Sequence, residues 1–78
     1  MQDNLKIRSR LGDNIHGYVV VAQYKDRVIL AIATEPNNPN KAVVWYLDYQ
    51  GEPYTGNYYV NLQSAYHEFV KRAFGGYI

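Results

Sequence analysis

Four runs of β-branched and aromatic residues, each of strand length, confine this chain to a small β-rich fold. They read "GYVVVAQY" (17–24), "RVILAIAT" (27–34), "KAVVWYLDY" (41–49) and "YTGNYYV" (54–60). Turn-forming clusters separate them. "TEPNNPNK" (34–41) carries two prolines and three asparagines, a composition that marks a loop. "YKDR" (24–27) and "YQGEPY" (49–54) are shorter breaks. Connections this short set consecutive strands side by side and antiparallel.

Residues 62–74 change period. Leu62, Ala65, Tyr66, Phe69, Ala73 and Phe74 recur at steps of three and four, which predicts an amphipathic helix. Asn61 stands at the N-cap, Lys71 and Arg72 favour the negative end of the helix dipole, and Gly75 suits the C′ position. The expected fold is α+β: a four-stranded antiparallel meander with one C-terminal helix packed on one face. Residues 1–15 are expected to form a flexible or edge-strand arm, the edge strand falling at 5–10, and residues 16–78 a single domain.

A trial register follows from the loop lengths. A two-residue turn at Lys25–Asp26 sets Tyr24 opposite Arg27, Ala22 opposite Ile29 and Val20 opposite Ala31. A six-residue loop then sets Ile32 opposite Val43, Leu30 opposite Trp45 and Val28 opposite Leu47. Tyr49 opposite Tyr54 completes the sheet. One face collects Val19, Val21, Val28, Leu30, Ile32, Val43, Trp45, Leu47, Tyr58 and Val60, and the helix is expected there, with Trp45 beneath Phe69. The other face carries Tyr18, Val20, Tyr24, Ile29, Val44, Tyr46 and Tyr59, with Ala22, Ala31 and Ala33 between them. A solvated face alternates to polar residues, and this one does not. It is therefore expected to be an interaction surface rimmed by tyrosine. The alternative is that the N-terminal segment folds back and plugs it with Leu5, Ile7 and Leu11.

Size and composition narrow the function. A chain of 78 residues has a small stability margin, which small domains often raise by disulfides, metals or oligomerisation. There is no cysteine, and two histidines are a poor structural metal set, so self-association is the expected device. The N-terminus lacks a signal-peptide pattern, and the apolar runs are too short to cross a bilayer; a cytoplasmic protein is expected. No catalytic, cofactor or metal residues are expected: His16 and His67 are lone histidines, which are usually structural or exposed, and the acids are scattered. Net charge is +1, which gives no general case for nucleic acid. Lys6, Arg8 and Arg10 alternate along the arm, and with the sheet tyrosines they form a second reading, a single-stranded nucleic-acid binder contacting phosphate.

The pieces "GYVVVAQ", "AVVWYL", "GNYYVNL" and "AYHEFVKR" together resemble small modules carried by bacterial mobile elements and phages. The resemblance covers about two thirds of the chain. It implies a compact accessory protein acting on host machinery, and it carries no activity, cofactor or site residue. The expected function is a non-enzymatic protein–protein interaction module whose partner is a second copy or a host protein.

Overall fold

A computed structural model of the chain describes residues 9–75. Five strands form one antiparallel sheet in the order of the chain: β1 (Asn14–Ile15), β2 (Tyr18–Tyr24), β3 (Val28–Ala33), β4 (Ala42–Leu47) and β5 (Pro53–Tyr59). Helix α1 (Leu62–Ala73) follows. This is the expected α+β meander with a C-terminal helix, preceded by one extra short strand. Edge pairing in the arm occurs at Asn14–Ile15; of the edge strand expected at 5–10, the first four residues lie outside the described residues. His16 and Gly17, with φ of 53° and 85°, make the two-residue turn that joins β1 to β2. The Asn61 side chain caps α1 by accepting from the Ser64 amide at 2.8 Å, and Gly75 follows the helix with φ of 73°.

Side-chain parity breaks twice. In β2, Val20 pairs with Ala31 but Ala22 pairs with Leu30, so Val21 is an extra residue. In β5, Thr55 and Gly56 together oppose Trp45, between the pairs Val44–Asn57 and Tyr46–Tyr54. Bulges of this kind bend a strand and raise its twist. Gly56 is required by a close approach: a Cβ there would sit 2.5 Å from the Trp45 indole nitrogen. The indole instead lies against bare backbone.

The sheet curls toward the Trp45 side. Tyr18 on β2 and Tyr58 on β5 have ring centroids 5.6 Å apart, although their strands are three steps of about 4.8 Å apart in the ladder. Trp45 meets both rings edge-on, at 6.2 and 6.3 Å. Arg10 Nη1 donates to the Gly51 carbonyl at 2.6 Å and so ties the segment before β1 to the β4–β5 turn. The concave core holds Tyr18, Val20, Ile29, Ala31, Val43, Trp45 and Leu47. The other face packs Val28, Leu30, Ala42 and Val44 against Ala65 and Phe69 of α1.

The trial register is corrected at three places. A three-residue loop, Lys25 to Arg27, replaces the two-residue turn and sets Tyr24 opposite Val28. The β3–β4 pairing is shifted by one residue: Ile32 faces Ala42, Leu30 faces Val44 and Val28 faces Tyr46. Tyr54 pairs with Tyr46 instead of Tyr49. A one-residue shift moves a whole strand to the other face, so Trp45 lies opposite the helix and not beneath Phe69. The loop sets this register through Tyr18, whose hydroxyl donates to the Asn40 carbonyl at 3.0 Å and accepts from the Asn38 amide at 2.8 Å.

Trp45→Ala is expected to destabilise the fold by about 3–5 kcal/mol. Gly56→Ala, which drives a methyl group into the indole, is expected to cost about 1–3 kcal/mol. Urea titration followed by far-UV circular dichroism checks both. A Gly56→Ala protein as stable as wild type would contradict the packing of Trp45 on this strand.

Candidate interaction surface

The expected surface does not exist as one face. Tyr18, Val20 and Ile29 lie in the concave core, whereas Tyr24, Val44, Tyr46 and Tyr59 lie on the helix side. Tyr18, Val20, Ile29 and Val44 are buried, and Tyr24, Tyr46 and Tyr59 are half-buried. The cause is the one-residue β3–β4 offset, which carries Val44, Tyr46 and with them Tyr59 to the helix side, together with the extra residue Val21, which carries Tyr24 there; the curl turns the second apolar face into an interior. Of the proposed plug, Leu11 is exposed, and Leu5 and Ile7 fall outside the described residues.

The chain exposes a different apolar region. Residues 53–67 contain no Asp, Glu, Lys or Arg, in a chain with 15 such residues. They form β5, the N-cap and the first half of α1. β5 is an edge strand, and its central residues 54–58 are all exposed. Tyr54 and Tyr58 are 49% and 48% exposed, Val60 66%, Leu62 50% and Tyr66 57%. Exposed tyrosines among aliphatic side chains favour contact with protein: they offer large area at little entropic cost. Beside the edge runs a polar groove of about 460 Å³, lined by Tyr59, Asn61, Gln63, Ser64, His67 and Glu68.

Arg72 fixes this edge to the helix. It is buried, where its position in the last turn predicted only a favourable dipole contact. Nη1 donates to the carbonyls of Thr55 (2.9 Å) and Val44 (3.3 Å), Nη2 donates to Asn57 Oδ1, and Nε pairs with Glu68 at 2.9 Å. The guanidinium also lies 4.4 Å from the centre of the Tyr46 ring, which stacks on Tyr54 at 5.7 Å. The arrangement satisfies carbonyls at the bulge. It also holds Thr55 at φ of 51°, a left-handed conformation unfavourable for a β-branched residue.

The remaining polar groups are dispersed. Asp48 Oδ1 accepts the amides of Gln50 and Glu52 and shapes the β4–β5 turn. Arg10 is half-buried, 3.0 Å from Asp13 and bonded to Gly51, so its charge is committed to the fold. Lys6 and Arg8 lie outside the described residues. His16 sits in a turn, and His67 is exposed on α1. Among the described residues, no three His, Asp or Glu side chains gather as metal ligands, and no helix is long and apolar enough to cross a membrane. Burial raises the pKa of Tyr59 above its ordinary value, and the charge of Glu68 adds to the rise while Arg72 opposes it.

The sequence signals for this region were the glycine inside a strand, which marks a bulge or a close approach, and the long uncharged stretch. Nothing in the pattern marked Arg72 as interior.

Arg72→Lys is expected to cost about 2–4 kcal/mol, because one ammonium cannot reach the same set of acceptors and leaves buried carbonyls unpaired. Denaturant unfolding checks it, and an unchanged midpoint would contradict the role. The raised pKa of Tyr59 favours the folded state while the phenol is neutral. That contribution is complete below pH 10.0, the ordinary value, and is lost as pH rises through the higher folded value. Alkaline absorbance titration should show a late-ionising tyrosine that Tyr59→Phe removes.

No family model, curated protein or solved structure matches this chain.

Proposed function

We propose that the protein is a non-enzymatic protein–protein interaction module, homodimeric, that works through β5 and the first half of α1. The observation that carries this reading is the exposure of Tyr54, Tyr58, Val60, Leu62 and Tyr66 within one stretch free of formal charge. Charged residues are depleted at the centres of protein interfaces and tyrosine is enriched there. The opposite trend serves nucleic acid, where clustered cations supply affinity. Here the exposed tyrosines have no Lys or Arg among them, and Arg10 is held by Asp13 and Gly51. These facts favour a protein partner over single-stranded nucleic acid. The resemblance to phage and mobile-element modules supplies the setting we propose: a cytoplasmic accessory protein, with a host protein as its further target.

Sedimentation equilibrium tests the reading. The mass should rise with concentration from one chain to two, with little dependence on salt. Tyr66→Lys should weaken the dimer roughly tenfold or more, about 1.4 kcal/mol, with the unfolding midpoint of the dilute monomer retained. A constant single-chain mass would contradict the reading. So would oligonucleotide binding that falls steeply with salt.

A further inference from the structure

We infer that two copies join edge to edge, residues 56–60, the second half of β5 and Val60 after it, pairing antiparallel with the same residues of a second copy. This inference rests on the homodimer reading and specifies its geometry.

A sheet edge carries a row of amides and carbonyls that another strand satisfies. The two edges of this sheet differ. On the β1 side, the chain before β1 closes along β2: the Gly12 amide donates to the Val20 carbonyl at 2.9 Å, and the Arg10 amide to Gln23 Oε1 at 2.7 Å. On the other side, β5 has β4 as its ladder partner and an outer edge that no described strand covers. Natural edges are guarded by charges, prolines or bulges. β5 has no charge, its proline is its first residue, and its bulge at Thr55–Gly56 bends only the first half. Past the bulge, which ends at Gly56, the strand is regular and unguarded.

A second copy is the fitting occupant. An antiparallel pair of identical strands is related by a two-fold axis, the commonest symmetry of protein dimers. An uncharged strand meets its own copy without like-charge repulsion. The aromatic cluster of Tyr18, Trp45 and Tyr58 is closed everywhere except at Tyr58, which is 48% exposed on this edge. Pairing covers that end. A two-fold axis perpendicular to the sheet keeps each face with its like, so both α1 helices flank the junction. The other edge is guarded, because β1 is only two residues long and the segment before it carries Arg10 and Asp13, so assembly stops at two chains and does not grow into a filament.

Hydrogen exchange of the full chain, resolved by residue and run below and above the dimerisation midpoint, tests this pairing. The amides of residues 56–60 should slow roughly tenfold or more with concentration, tracking the dimer fraction. Val60→Lys, at a largely exposed site, should abolish that protection and leave the unfolding midpoint of the dilute monomer unchanged. A dimer whose 56–60 amides exchange as in the monomer would overturn the edge pairing and leave the homodimer standing. A chain that stays single at every concentration would overturn both. Protection independent of concentration would overturn the pairing by showing the edge occupied within one chain.

Discussion

The contact between the Trp45 indole and the bare backbone at Gly56 is the constraint on which the rest of the structure depends. Two strands can approach this way only where one lacks a Cβ, and the bulge at Thr55–Gly56 supplies the bend that brings them together. Trp45 then bridges Tyr18 and Tyr58, and the sheet closes toward one side. The bulge at Val21 contributes a second bend and transfers Ala22 and Tyr24 to the helix side. The described residues, with one helix, thereby bury both faces of the sheet.

Closure of both faces moves the sticky part of the molecule from a face to an edge. Arg72 serves this from within: its guanidinium satisfies carbonyls left at the bulge and clamps the strand to α1. Its Glu68 partner also lines the groove beside the edge. The outer residues of β5 and the first helical turns then form a neutral, tyrosine-bearing ridge. The proposed self-association follows from that ridge, and its limit of two chains from the short, charge-bearing edge on the β1 side.

Much of the fold was legible in the sequence. The four long strands, the loop of prolines and asparagines, the Asn61 cap and the Gly75 stop all rest on local chemistry, which short windows of sequence carry. Register does not. The β3–β4 offset goes with a loop tied to the distant Tyr18, whose hydroxyl accepts from Asn38 and donates to Asn40, and one residue of offset placed Trp45 on the wrong side. Alternation along a strand assigns faces only where no residue is inserted, and Val21 and Thr55 are both insertions. The β3–β4 offset and the inserted Val21 together split the seven residues expected to form one surface between two interiors. The glycine at 56 signalled the second insertion; Val21, in a run of valines, gave no such sign. Arg72 was invisible because a cation in a last helical turn usually serves the dipole in water.

Through-space proton contacts in dilute, monomeric protein test the curled sheet most directly. Cross-peaks between the Tyr18 and Tyr58 rings, and between the Trp45 indole and the Gly56 α-protons, are the expected result. Contacts from the Trp45 indole to the Phe69 ring would place the tryptophan beneath the helix and contradict the account.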